Sequence, residues 1–152
     1  MLIYKKELSA LLLASIVVFI FDQYIKFTVI NGFEFDTTCI SFHLIYNKGV
    51  AFSMFERLGE SLKYIQIGLL SIILGYTIYD KDILSRYFLP IGIVLGAGGS
   101  NILDRFIHGG VVDYVYWHCY FDFAIFNFAD VMIDIAIVSI MYLNLRQNRY
   151  KI

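Results

Sequence analysis

The sequence has few charged residues for its length. Only 16% of its 152 residues are charged, while 59% are hydrophobic. An ordinary soluble domain contains roughly 45–50% apolar residues and needs more charge to cover its surface. A net charge of -1, without a basic stripe, gives no indication of nucleic acid, and we expect no such partner. The composition therefore predicts an integral membrane protein, and the length predicts a single domain, 1–152.

Cysteine and histidine are also scarce. The two cysteines, Cys39 and Cys119, form no CxxC motif, and the three histidines are scattered. Because zinc sites need clustered ligands, we expect no metal and no cofactor. Both cysteines lie in segments expected on one side of the membrane, so a disulfide is possible. Two unpaired, partly buried thiols are the favoured interpretation.

Four apolar segments are long enough to cross a bilayer, which needs about 20 residues per helix. The expected spans cover residues 8–30, 63–79, 87–107 and 125–145. The segments 31–62 and 108–124 lie between them, and the first has strand-like spacing bent at Asn47. We expect an all-α integral membrane protein, a four-transmembrane-helix bundle with a small extracytoplasmic β-containing layer.

Glycines and charges subdivide these spans. Gly68 and Gly75 are seven residues apart on one helix face, which predicts close packing of a neighbouring helix there. Gly92 and Gly96 predict a second such face. The charged stretch Asp80–Arg86 predicts a tight loop between the second and third spans.

Basic residues predict the orientation of the chain. They are concentrated in both terminal segments and in the loop between the second and third spans, and cytoplasmic segments carry such an excess. Both termini are therefore expected in the cytoplasm. The two longer loops are then expected at the outer face.

Polar residues gather at the outer ends of the third and fourth spans. They are Asn101, Asp104, Arg105, Asp113, Asn127 and Asp130. Residues three or four apart share a helix face, and a glycine pair before Asp113 allows the loop to fold back over the bundle. Charge at a membrane boundary is costly and usually functional, so this cluster predicts a site.

Several of these residues also have simpler explanations. Asp22 with Lys26, at i and i+4, could form only an ion pair at a helix end, and so could Asp104 with Arg105. Asn127 could serve only as a helix N-cap.

A non-enzymatic protein is the alternative function, either a small proton-coupled carrier or an assembly subunit. A proton relay would distribute ionisable groups through the bilayer. Here Asp104, Asp113 and Asp130 gather at one face, and only Asp134, whose role stays open, lies deeper. Asp122 is interpreted as a solvated loop residue.

Four motifs resemble the ordered blocks of the lipoprotein signal peptidases, also called signal peptidase II. They are FDQYIK, NKGVAFSMF, GAGGSNILDRFIHGGVVDYV and FNFAD. The blocks follow the family's order over nearly the whole chain. The resemblance implies an intramembrane aspartic endopeptidase of the bacterial inner membrane, which cuts prolipoproteins before a diacylglyceryl-modified cysteine.

The resemblance also implies roles for individual residues. Asp113 and Asp130 match the family's catalytic dyad. The positions that shape or support the site are Asp22, Lys26, Asn47, Asn101, Asp104, Arg105 and Asn127. Ser100, Val131 and Tyr114 depart from the commonest family residues, but none of these departures removes an acid or amide.

The resemblance further implies a small sheet within residues 31–63 and inhibition by globomycin-type cyclic peptides. Membrane lipid and prolipoprotein are the expected partners, and a monomer is expected. If the outer layer closes over the scissile bond, substitutions of Gly49 or Phe52 should alter turnover without impairing insertion.

Overall fold

The computed structural model describes residues 4–49, 58 and 60–149. Its elements in chain order are α1 (Lys5–Ile30), β1 (Ile40–Asn47), α2 (Ser61–Tyr79), α3 (Lys81–Ile107), β2 (Val111–Trp117) and α4 (Phe128–Arg149). Phe52, which the sequence suggests as part of a lid, lies outside the described residues.

The four helices are long and apolar enough to cross a membrane. Their outer faces carry exposed aliphatic side chains, such as Leu13, Ile72 and Val138, which are 63%, 68% and 65% exposed. Their inner faces bury charged and amide side chains, among them Asp22 and Lys26. An apolar outside around a polar inside is the arrangement that lipid requires. The predicted four-helix bundle with a small β-containing layer is confirmed.

Helix α3 is the central helix and contacts each of the other three. At Gly92 an added Cβ would lie 2.5 Å from the backbone oxygen of Leu11, and at Gly96 it would collide with the backbone of Ser15. The predicted close packing at these two glycines is therefore present, between α1 and α3. The same prediction for Gly68 and Gly75 is wrong, because no atom of the described residues lies within 4 Å of a Cβ built at either.

Helix α3 begins earlier than the sequence suggests. The side chain of Asp80 accepts hydrogen bonds from the backbone N–H groups of Asp82 (3.0 Å) and Ile83 (3.1 Å), which makes it an N-cap. The acidic residues that indicated a loop instead stabilise a helix N-terminus. The expected loop over Asp80–Arg86 is therefore wrong, because most of it forms the first turns of α3.

The two strands pair antiparallel, with Ile45 opposite Asp113 and Asn47 opposite Val111. The sheet thus joins both outer segments, whereas the sequence placed it within residues 31–63. Gly110 permits this approach, because an added Cβ there would lie 3.0 Å from the backbone oxygen of Asn47.

The two cysteines are joined in a disulfide. Cys39 lies just before β1 and Cys119 just after β2, with Cα atoms 4.0 Å apart. The favoured interpretation of two unpaired thiols is wrong, because strand pairing brings positions 80 residues apart in sequence into contact. The disulfide joins the two strands at one end of the sheet, and Asn47 lies at the other end.

Candidate active site

Asp113 is held on β2 by two amide side chains. Asn47, the last residue of β1, donates from Nδ2 to Asp113 Oδ2 at 2.9 Å. Asn127 donates from Nδ2 to Asp113 Oδ1 at 2.7 Å. Asp113 is only 3% exposed. Each carboxylate oxygen therefore has a fixed donor, and the orientation of the carboxyl group is set before any substrate binds.

Asp130 lies in the first turn of α4 and is held in a similar way. Its Oδ1 accepts from Asn101 Nδ2 at 3.0 Å, and its Oδ2 accepts from the backbone N–H of Asn127 at 3.1 Å. A carboxylate is favoured at a helix N-terminus by free N–H groups. Asn127 thus contacts Asp113 through its side chain and Asp130 through its backbone, so one residue connects the two acids.

Asn127 also caps α4, because its Oδ1 accepts from the backbone N–H of Asp130 at 3.0 Å. The capping interpretation is therefore correct but incomplete. One amide side chain begins the helix and orients a carboxylate on another element.

Lys26 lies at the centre of a buried charge cluster behind the two acids. Its Nζ is 2.6 Å from carboxylate oxygens of both Asp22 and Asp104, and it donates to Asn101 Oδ1 at 2.7 Å. Asp22, Lys26 and Asp104 are at most 1% exposed. The alternative explanation of Asp104 and Arg105 as an ion pair is wrong, since Asp104 pairs with Lys26 instead. Through Asn101, this cluster fixes a donor to Asp130.

Helices α1, α3 and α4 also meet at Asp22. Its Oδ2 accepts from Ser100 Oγ at 2.5 Å, and its Oδ1 accepts from the backbone N–H of Ala129 at 2.8 Å. Asp22 therefore holds the first turn of α4 against the bundle. The simple ion-pair explanation of Asp22 with Lys26 leaves out these contacts.

Gln23 and Tyr114 have roles in this network that were not predicted from the sequence. Gln23 donates from Nε2 to Ser100 Oγ and to Asp104 Oδ1, each at 2.8 Å. The hydroxyl of Tyr114 accepts from the backbone N–H of Phe128 at 3.2 Å. An uncharged amide directly beside Asp22 in an apolar helix was the available signal for Gln23.

Arg105 is buried and holds the segment after β1. Its guanidinium donates to the backbone oxygen of Gly49, and to that of Asn101 at 3.4 Å. Gly49 in turn donates from its backbone N–H to Asn47 Oδ1 at 2.9 Å. Arg105 therefore positions the residue that binds Asp113.

A cavity of about 460 Å³ lies beside these residues, between α2 and α4 and next to β2. Its polar lining consists of Asn47, Gln66, Asn101, Arg105, Asp113, Asp130 and Asp134. Its volume falls in the range of small-molecule sites, roughly 300–1,000 Å³. Asp122 is not in this lining and accepts a hydrogen bond from the exposed Tyr116 hydroxyl at 2.6 Å.

Burial makes Asp113 a weaker acid than usual. Desolvation, with the nearby Asp130 charge, raises its pKa to about 6, although hydrogen bonds from Asn47 and Asn127 oppose the shift. In residues 4–49, 58 and 60–149, no three His, Cys, Asp or Glu side chains are arranged to hold a metal ion.

A family model and two related proteins show which known proteins the chain is similar to. The family model described as signal peptidase (SPase) II matches residues 14–146. A lipoprotein signal peptidase of Sulfurimonas denitrificans is 54% identical over 93% of this chain and 91% of its own length. One of Helicobacter pylori is 42% identical over 97% of this chain and 96% of its own.

The fold has a counterpart among solved structures. A structure titled as a bacterial membrane enzyme superposes with a TM-score of 0.77, covering 95% of this chain and 92% of the other. At 23% identity this likeness shows the fold alone.

The bundle and its inward-facing acids define a multi-pass membrane protein with a buried carboxylate site. The chain belongs to the signal peptidase II family, the lipoprotein signal peptidases, and is an aspartic protease by that membership. Membership supports cleavage of lipoprotein signal peptides in the bacterial inner membrane. The sequence resemblance is confirmed.

Proposed function

We propose that the protein removes the signal peptide from diacylglyceryl-modified prolipoproteins by cleaving before the lipidated cysteine. Asp113 and Asp130 activate the attacking water. The observation that carries this proposal is the position of Asn127, which binds both carboxylates at the wall of one cavity. Family membership supports the substrate class.

The two acids are suited to share one proton. Neighbouring carboxylates cannot both ionise easily, and burial already raises the pKa of Asp113 to about 6. The ionised member removes a proton from water, whose oxygen attacks the scissile carbonyl carbon. The protonated member donates to the carbonyl oxygen, and a proton then passes to the leaving nitrogen as the C–N bond breaks. The proton belongs to the coupled pair rather than to one residue.

The remaining site residues act as a scaffold. Lys26, in contact with both Asp22 and Asp104, holds Asn101, which donates to Asp130. A buried cation with two carboxylates is rigid because any displacement leaves a charge unpaired. Arg105 and Asn47 perform the equivalent task for Asp113.

The cavity favours lateral entry from the bilayer. Helices α2 and α4 both pack on α3, and the cavity lies between them. A signal peptide and the acyl chains of its cysteine can then remain in lipid while the scissile bond reaches the acids. Membrane lipid is thus a partner, a cyclic peptide of the globomycin type would occupy the same cavity, and a monomer suffices.

The active site is placed at the outer face, with both termini in the cytoplasm. The distribution of basic residues supports this orientation. The disulfide between Cys39 and Cys119 supports it independently, because disulfides persist in oxidising compartments outside the cytoplasm. Gly49, held by Arg105, begins the segment proposed to close over the substrate, which includes Phe52.

The test uses purified protein in liposomes with a diacylglyceryl-modified prolipoprotein. Asp113→Asn and Asp130→Asn should each lower the cleavage rate about 100-fold or more, because each removes one partner of the proton transfer. Asp122→Asn is the matched control and should cleave at the wild-type rate. Near wild-type cleavage by either dyad variant contradicts the dyad. A wild-type protein that never cleaves contradicts the enzymatic function and favours the carrier.

A further inference from the structure

Asp134 is an acidic residue within a transmembrane helix that the dyad chemistry does not use. It lies four residues after Asp130 on α4, about 6 Å further along the helix axis. Its side chain is exposed and lines the cavity. It makes no hydrogen bond or ion pair with the residues that the structure describes. An acid at this depth is costly unless it meets a polar partner.

Gln66 lies on the α2 side of the same cavity. Its Oε1 is buried and accepts no hydrogen bond within the described part of the chain. Buried polar atoms are normally paired, so an unpaired acceptor in a cavity wall indicates a missing donor. The carboxyl group of Asp134 also keeps an acceptor oxygen in either protonation state. Helices α2 and α4, which both border the cavity, therefore each carry an acceptor without a partner among the described residues.

The substrate of the proposed reaction carries unpaired donors. A scissile carbonyl can be attacked only where the signal-peptide helix has unwound, and unwinding frees backbone N–H groups from their i→i−4 partners. Within the bilayer no water replaces those partners, so the enzyme has to provide them. In the proposed orientation, the residues before the scissile bond lie deeper than the dyad, on the side of Asp134.

We propose that Asp134 and Gln66 form a subsite that accepts hydrogen bonds from backbone N–H groups of the unwound signal peptide, just before the scissile bond. The inference rests on the proposed function and adds a positioning role for two residues outside the dyad. In this role the enzyme provides hydrogen-bond acceptors that replace the backbone carbonyl groups which accepted from these N–H groups in the helix.

The experiment replaces single backbone N–H groups of the substrate by ester oxygens. Synthetic diacylglyceryl peptides carry one ester at each of several successive positions before the scissile bond, and kcat/KM is measured in liposomes. With wild-type enzyme, at least one ester should lower kcat/KM about tenfold, which corresponds to the loss of one hydrogen bond. Asp134→Leu should lower kcat/KM similarly for the all-amide peptide and show no further loss with that ester.

Matched variants separate this role from a structural one. Asp134→Asn keeps an acceptor oxygen and should retain the ester effect, while Gln66→Leu should reduce it at the same or a neighbouring position. Asn144→Leu, an exposed polar residue of α4 away from the cavity, should leave all rates unchanged. The subsite is overturned if every ester acts equally on wild type and Asp134→Leu. Absence of wild-type cleavage of the all-amide peptide instead overturns the proposed function, and this inference with it.

Discussion

Replacement of Asn47 by alanine should shift the pH dependence of cleavage. Asn47 donates to Asp113 Oδ2 at 2.9 Å and lowers the pKa of a carboxyl group that burial raises to about 6. A hydrogen bond to a charged group contributes about 1.5–3 kcal/mol. Water that enters after truncation offsets part of this loss, so an upward pKa shift of about one unit, equivalent to about 1.4 kcal/mol, is expected.

The sign of the effect follows from the mechanism. The reaction needs one ionised and one protonated carboxyl group, and the pKa of about 6, raised in part by the charge on Asp130, describes loss of the remaining proton. The value of kcat/KM therefore falls as pH rises through this pKa. At pH 7, a shift from about 6 to about 7 raises the protonated fraction from about one tenth to about one half, a fivefold gain. At pH 5 the same shift changes the protonated fraction by about a tenth or less. Asn47→Ala should therefore cleave about fivefold faster at pH 7 and at an almost unchanged rate at pH 5.

The assay is kcat/KM for a diacylglyceryl prolipoprotein between about pH 5 and 9, a range that includes the Asp113 pKa of about 6. Asn31→Ala is the control, because Asn31 donates from Nδ2 to the backbone oxygen of Phe27 at the exposed end of α1. Asn31→Ala should leave the alkaline limb of the pH profile in place. An equal loss at all pH values in Asn47→Ala would refute the electrostatic reasoning and show that Asn47 acts through the shape of the segment after β1.

Two further predictions concern the bundle and are checked by unfolding in detergent. Lys26→Met leaves two buried carboxylates without their cation and should lower the free energy of unfolding by about 3–5 kcal/mol, whereas Lys63→Met, whose partner is exposed, should change it by under about 1 kcal/mol. Gly96→Ala forces a Cβ against the backbone of α1 and should destabilise the bundle, whereas Gly75→Ala has open space and should be neutral or stabilising by up to about 1 kcal/mol. Equal effects within either pair contradict the packing described.

The helices were predictable because each is a long apolar segment, and the candidate site because its acids interrupt that pattern. The sequence also placed Asn101, Asp113 and Asp130 at one membrane level. These inferences need only local composition and helical periodicity. Helix ends were less predictable, since the charges after Asp80 suit either a loop or the start of a helix.

The partners of individual side chains depend on how distant elements pack. Arg105 is adjacent to Asp104 in sequence, yet the cation that binds Asp104 is Lys26, 78 positions away. Only the close α1–α3 contact brings these groups together, and helical spacing within α3 cannot reveal it. The disulfide was unpredictable for the same reason, because it requires the register of two strands from different loops.

The pairing of Lys26 with Asp22 has a consequence for how the chain enters the membrane. The two residues lie one turn apart on α1, with Lys26 Nζ 2.6 Å from Asp22 Oδ2. This end of α1 can therefore enter the bilayer as a neutral unit before any later helix is made. Asp104 and the N–H of Ala129 reach the pair only after α3 and α4 have been inserted. The hydrogen bonds that orient Asp113 and Asp130 are therefore complete only after the last helix is in place.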